Sequence, residues 1–383
     1  MYYLSLAERA TLEGAGQAYW LPRLAADAEN FQASLAWCRD NGEREMGLRL
    51  SIALMPFWRL RDQQRAARSW LATFMNAEGE VAPTIVAMGM LWEGLLLMRG
   101  EGDTTSSLQR FNAAIALFDR EGDLDGASEA RQAIGDAFGQ RGDWLQARPY
   151  FQESLDLAMQ AGNAYLTAHG YMGLALVAQE EGAFEVAQEN WERTLAWAEQ
   201  SGNQASVSLA LNSLGEMARG RAEWSSAAHY YEQALNLART LGSEFRIALA
   251  LHNLGYVSLH DGHPEVARRQ FIDSLWLYDD MQHRKGMAEC LAGLARVDAF
   301  TGYPHRAALL AGASEAVLQR LGTRLDAMDR ADYAQTLDIL RETLGYRLDA
   351  SLAVGRAMPL KEATELAVAS RFDPVVSPKA PIP

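Results

Sequence analysis

The sequence predicts an all-α chain: a right-handed α-solenoid of antiparallel helix pairs with a 40-residue period. Three observations carry that prediction. Glycine recurs every twenty residues, a helix-capping residue type follows most of those glycines, and alternate twenty-residue segments carry different side-chain columns.

The glycines stand at 102, 122, 142, 162, 182, 202, 242, 262, 302 and 322. Of the grid positions from 102 to 322, only Ala222 and Gln282 depart. Scattering 31 glycines over 383 residues at random would put about one of them on the grid. The next residue is Asp103, Asp123, Asp143, Asn163, Asn203, Ser243 or Thr323, types whose side-chain oxygens accept from the free N–H groups of a first helical turn. Glycine ahead of them suits the left-handed residue that closes a helix, and Pro264 and Pro304 fall where a helix best tolerates proline. Each grid point therefore reads as stop, cap and start, separating helices of about 16–17 residues, roughly 25 Å long. The string Arg141-Gly142-Asp143 is one such beat and not an adhesion signal.

In the second helix of each pair, Phe111, Phe151, Trp191, Tyr231 and Phe271 form a column. Ile115, Leu155, Leu195, Leu235 and Leu275 follow four residues later on the same face. Ser107, Ala147, Ala187, Ala227 and Ala267 precede the aromatics by four. In the first helix, Ile134, Leu174, Leu214, Leu254 and Leu294 precede Gly135, Ala175, Gly215, Gly255 and Ala295. These columns predict close helix approach at small residues, with aromatics and leucines filling the space between pairs. One pair cannot bury its apolar face alone, so stacking is required.

These columns resemble the tetratricopeptide repeat, whose Leu-Gly, Ala and aromatic positions match Leu214-Gly215, Ala227 and Tyr231, and again Leu254-Gly255, Ala267 and Phe271. The period of forty departs from the usual 34, and the extra residues lie outside the matched core. HEAT-type repeats share a period near forty but do not account for the small-residue columns. The expected organisation is an N-terminal helical region with degenerate repeats at 1–83, with Phe31, Leu35 and Gly42 in phase. A solenoid at 84–322 follows, its last pair degenerate at Ala311 and Glu315. Capping helices are expected at 323–371, and a disordered Pro-rich tail at 372–383.

A second resemblance is narrower. The segments YYLSLAERA and WLPRLAADAENFQASLAW near the start look like the beginning of the helical-repeat region in bacterial signal-transduction ATPases with numerous domains, including LuxR-type regulators. HRAALLAGASEAVLQRLG at 305–322 and VGRAMPLKEATELAVAS at 354–370 look like its end. The resemblance implies a sensor arm linked to an ATPase and a DNA-binding output domain. This sequence has no G-x-x-x-x-G-K-[ST], so ATPase activity does not carry over. A free-standing scaffold for complex assembly is the alternative.

Composition narrows the function. A net charge of −14 disfavours nucleic acid and anionic membrane as direct partners. Cys38 and Cys290 suit a reducing cytosol and read as small buried hydrophobes. There is no signal peptide, and the apolar run at 85–98 is too short to span a bilayer, so a cytoplasmic protein is expected. No nucleophile motif, cofactor motif or metal set stands out. His260 and His263 lack further ligands nearby, and Asp123 reads as a cap rather than the opening of a calcium loop. We expect no catalysis, no cofactor and no metal.

In the repeat family the first helices line the concave surface, and positions two before and two after the Leu of Leu-Gly face it. The resemblance places Gln132, Met172, Asn212, His252 and Ala292 there, with Asp136, Leu176, Glu216, Tyr256 and Arg296, and Arg219 one turn beyond Glu216. The binding wall is thus expected at Gln132, Asp136, Met172, Asn212, Glu216, Arg219, His252, Tyr256 and Arg296. Its expected ligand is a peptide, a partner protein or a small effector.

Overall fold

The structure, a computed structural model, describes residues 1–12, 16–100 and 103–369. Gly102 and the expected tail at 372–383 lie outside the described residues. The chain divides into two compact units, Met1–Ala210 and Leu211 onward, with the division inside one helix.

The first unit contains α1 (Tyr2–Glu8), α2 (Gly16–Ala26), α3 (Ala28–Asp40), α4 (Arg44–Leu60), α5 (Gln64–Met75), α6 (Pro83–Gly100), α7 (Thr104–Glu121), α8 (Leu124–Gln140), α9 (Trp144–Ala161), α10 (Ala164–Glu180) and α11 (Phe184–Ser201). Helix α12 (Gln204–Gly220) crosses the division. The second unit continues with α13 (Trp224–Leu241), α14 (Glu244–His260), α15 (Pro264–Asp280), α16 (Arg284–Phe300), α17 (Pro304–Arg320), α18 (Ala327–Leu344), α19 (Leu348–Ala357) and α20 (Leu360–Val368). Consecutive helices pack as pairs: α6 on α7, α8 on α9 and α10 on α11 in the first unit, and α14 on α15 and α16 on α17 in the second.

The beat of twenty is a backbone property before it is a glycine property. Gly122, Gly142, Gly162, Gly182, Gly202, Gly242, Gly262, Gly302 and Gly322 all have positive φ. Ala222 and Gln282, the two departures, adopt the same left-handed conformation at φ 58° and 55°. Gly42 and Asp62 carry the beat into the N-terminal region at φ 73° and 52°. At Arg141-Gly142-Asp143, the Asp143 N–H donates to the Phe138 carbonyl at 3.0 Å, closing α8 as a Schellman turn.

The caps differ in whether the side chain bonds. Asp123, Asn163 and Asn203, which start first helices, and Asp103, which starts the second helix α7, accept from the backbone N–H three residues on. Asp143, Ala183, Glu223, His263 and Tyr303, which start second helices, and Ser243, which starts the first helix α14, make no side-chain cap bond. Asp143 therefore holds the cap position without capping.

The aromatic column is fully buried at Phe111, Phe151, Trp191, Tyr231 and Phe271 and lies between successive pairs as expected, since a Cβ at Gly173 or Gly293 of the next pair would meet the Phe151 or Phe271 ring at 2.4 Å; the expected contact of small residue on small residue is what differs. The first-helix small residues receive the aromatic ring itself. A Cβ at Gly135 would meet the Phe151 ring at 2.4 Å, one at Gly215 the Tyr231 ring at 2.5 Å, and one at Gly255 the Phe271 ring at 2.7 Å. Hydroxyls add a further tie between paired helices. Ser154 Oγ donates to the Ser128 carbonyl at 2.9 Å, Ser274 Oγ to Ala248 at 2.7 Å and Ser314 Oγ to Ala288 at 2.7 Å. Among the described residues, no helix is long and apolar enough to cross a membrane.

Candidate functional site

The expected wall residues fall into two groups with different surroundings. Gln132, Asp136 and Met172 lie in the first unit, on α8 and α10. Gln132 is buried and its amide donates to Asp136 at 3.3 Å, while Asp136 itself is exposed. Met172 is half-buried, and Leu176, one turn on, is 36% exposed.

The second group is gathered in the second unit, but not as an open wall. Arg219, His252 and Tyr256 are only 4%, 3% and 4% exposed. Helix α18 covers them, so the expectation of a free binding wall at these positions is corrected. The C-terminal segment expected merely to cap the last repeat also packs α18 against α16 and α17 and brings its side chains to α12 and α14. Arg219 on α12 donates through Nη2 to Asp329 Oδ1 at 3.0 Å and to Asp332 Oδ2 at 2.5 Å. His252 Nε2 on α14 meets Asp329 Oδ2 at 2.7 Å. Arg296 on α16 donates to Gln335 Oε1 at 2.6 Å, and Lys285 to Asp326 at 2.8 Å. Asp329 and Asp332 are neighbours one turn apart on α18, with Asp326 just ahead of its first turn and Gln335 one turn beyond Asp332.

Behind this contact the wall is internally braced. The Arg219 guanidinium lies over the Tyr256 ring, 3.9 Å from its centroid, close enough for a cation–π attraction. His252 stands edge-on to Tyr256 and Phe271, at 5.3 and 5.5 Å between centroids. Asn253 donates to Asn212 at 2.8 Å, and Asn212 to Glu216 at 2.8 Å.

The electrostatics follow from burial and pairing. Burial pushes the Glu216 carboxyl up to about 7, against the Asn212 hydrogen bond that favours its charged form. Burial also opposes charge on His252 and Asp329, but each outweighs it for the other. Asp329 holds the imidazole well above its ordinary value. His252 and Arg219 hold the Asp329 carboxyl at about 2.

Sequence reasoning missed an alignment at this site. Cys290 Sγ lies 3.7 Å from His252 Nδ1, while Asp329 holds the opposite ring nitrogen. That is the order of a thiol nucleophile, base and orienting acid. Cys290 is fully buried, its sulfur 3.3 Å from Ser274 Oγ, so in this structure a substrate has no approach to it. Elsewhere, His260 ends α14 and stacks on Trp224 at 3.7 Å, in a surface cleft of about 550 Å³. Among the described residues, no group of three or more His, Cys, Asp or Glu side chains is placed to hold a metal.

Fold and wall together define an all-helical repeat protein with a first-helix surface that holds a helix. Residues 166–240 match the tetratricopeptide repeat family, and the chain is a repeat protein of that type over this segment. It is 27% identical over 143 residues to putative HTH-type transcriptional regulators of Mycobacterium tuberculosis and Mycobacterium bovis, a match covering 36% of this chain and 16% of the regulators' length. A signal transduction ATPase with numerous domains and a tetratricopeptide repeat sensor, from Pyrococcus horikoshii, superposes with a TM-score of 0.54 at 15% identity, over 88% of this chain and 53% of that one. The apo quorum sensor NprR from B. thuringiensis superposes with a TM-score of 0.58 at 13% identity, over 91% and 96% of the two chains. At these identities the structural likenesses establish the fold.

Proposed function

We propose that this chain is a sensing and interaction module that recognises a peptide or partner-protein segment on the first-helix face of its repeats, by binding and without catalysis. The observation that carries this reading is the seating of α18 on α12, α14 and α16 through Arg219, His252 and Arg296. The same face of the repeat accepts a helical segment within the molecule. The corresponding face in the first unit, at Asp136, Met172 and Leu176, leaves Asp136 and Leu176 exposed. Solenoid walls of one fold accept unrelated ligands, so the ligand is to be found by capture. Wild-type chain and an Asp136→Lys, Leu176→Glu variant are used to capture partners from the source organism, and retained proteins and peptides are identified by mass spectrometry. At least one partner held by the wild type and lost by the variant is expected. Identical retention by both would remove the wall assignment.

The partial match to regulators and the likeness to an ATPase with a repeat sensor support a sensor arm within a longer regulator. The gene is expected to encode a nucleotide-binding segment in frame upstream of Met1. A ribosome-binding start at Met1 would favour a free-standing scaffold.

A further inference from the structure

Helix α18 is held differently along its length. Its last two turns are anchored in the apolar core by Leu340 and Leu344, both buried. Its first turns carry a different surface. From Ala327 to Gln335 the one buried side chain is a carboxylate, Asp329, and the neighbouring attachments are Asp326 to Lys285, Asp332 to Arg219 and Gln335 to Arg296. Tyr333 adds one apolar contact, its ring packed on the core and its hydroxyl donating to Glu315 Oε1 at 2.8 Å, so the first half is a largely polar strap joined to an apolar anchor. The segment ahead of it, 323–326, is not helical.

The strap leaves the wall incompletely satisfied. Arg219 Nε and Arg296 Nη1 are buried without an acceptor. A buried donor without an acceptor has given up its hydration with no bond in return. Aspartates on α18 reach only part of the guanidinium surface, and a segment with longer or additional carboxylates would reach more of it.

Resting on the reading of the first-helix face as a recognition surface, we propose that the α12–α14–α16 wall is a receptor for an acidic helical segment of a partner protein, with carboxylates three residues apart, and that the first half of α18 is its internal competitor. Lys285, His252, Arg219 and Arg296 are the recognising groups. The partner's carboxylates replace Asp326, Asp329 and Asp332, while Leu340 and Leu344 keep the displaced strap tethered.

The probe is a fluorescent peptide copying residues 324–344, compared with one in which the positions of Asp326, Asp329 and Asp332 carry Asn. The receptor is the full chain, as wild type and with Asp329→Asn plus Asp332→Asn. Self-occupancy weakens apparent affinity by the fraction of open sites, so the substituted chain is expected to bind the acidic peptide about tenfold more tightly or better. The Asn peptide should show no such gain. Equal affinity of the two chains for the acidic peptide would overturn the proposal. Because the substituted chain could lose its fold, hydrogen exchange on the wild type supplies a second measurement. Amides of 327–335 should exchange well ahead of those in α14 and α16. Equal protection of all three makes α18 an integral core helix and ends the proposal. Failure here, with partner capture still lost on Asp136→Lys and Leu176→Glu, would remove the competitor while leaving the sensing function.

Discussion

Two walls built from one repeat meet different fates in this molecule. On α8 and α10, Asp136 and Leu176 are exposed and Met172 is half-buried. On α12, α14 and α16, the equivalent positions carry Glu216, His252, Tyr256 and Arg296, and an acidic helix lies over them. The repeat itself does not produce the difference, because Gly135 with Phe151 and Gly255 with Phe271 build the same core in both units. What differs is the charge placed on the wall and a helix outside the repeat register that answers it. A single architecture thus supplies an exposed surface and an occupied one.

Breaking the occupied wall should have the largest effect. Arg219→Ala leaves Asp329 buried without its guanidinium, and removing one partner of a buried pair typically lowers stability by about 3–5 kcal/mol. Asp136→Asn, on the exposed wall, keeps an oxygen acceptor for the Gln132 amide and should stay within about 0.5 kcal/mol of wild type. Urea unfolding of both variants measures the contrast, and similar losses would abolish it.

The shared core gives the next largest effect and should not distinguish the units. An added methyl at Gly135 or Gly255 enters a ring face at 2.4 or 2.7 Å, and overpacking of this kind destabilises by about 1–3 kcal/mol. Comparable losses for Gly135→Ala and Gly255→Ala are expected. A loss at one position alone would show that the two cores are not equivalent.

A pH series isolates the electrostatics of the occupied wall. Glu216 is held at about 7, above its ordinary value of 4.5, by burial. Its contribution to stability is full below about 4.5 and is lost as pH rises through about 7. His252 shares that direction, since Asp329 holds it above 6.5 against burial, and its contribution falls at more alkaline pH. Asp329 has the opposite sign: its contribution holds above about 4 and is lost as pH falls through about 2. The groups facing this cluster include Asn212, Arg219, Tyr231, Tyr256, Glu289, Cys290, Asp326 and Asp332. Between pH 5 and 8, wild type should lose about 1–3 kcal/mol more stability than Glu216→Gln. Parallel unfolding midpoints for the two chains across that range would remove Glu216 as the titrating group.

The repeat was legible in the sequence because it is periodic. Even Ala222 and Gln282, which lack the glycine, obey the backbone that the other positions announce. The wall residues were legible as a polar set where an apolar core needs none, and Arg219, His252 and Tyr256 do come together. Their occupant was not read, because Asp329 lies 77 residues from His252 and 110 from Arg219, outside the repeat register. One signal was present: Asp326, Asp329 and Asp332 recur at a spacing that lines one helix face with acid. Matching that stripe to the basic side chains of the wall required the chain to be folded.

The finest distinction separates two individual helix starts. Asp123 and Asp143 occupy the same place in successive beats, and sequence alone treats them as equal caps. Asp123 Oδ1 accepts from the Gly126 N–H at 3.0 Å, whereas Asp143 makes no such bond. The backbone differs with the side chain, at ψ 91° for Asp123 and 63° for Asp143. Asp143 thus lies outside the extended conformation from which an Asx side chain reaches the third residue, whereas Asp103, at ψ 82°, still accepts from the Ser106 N–H at 3.0 Å. Asp123→Ala should lower stability by about 0.5–2 kcal/mol, while Asp143→Ala should change it by less than about 0.5 kcal/mol. Thermal unfolding of the two single variants at equal concentration measures the difference. Equal losses would mean that Asp143 caps its helix in solution and that the two beats are one kind after all.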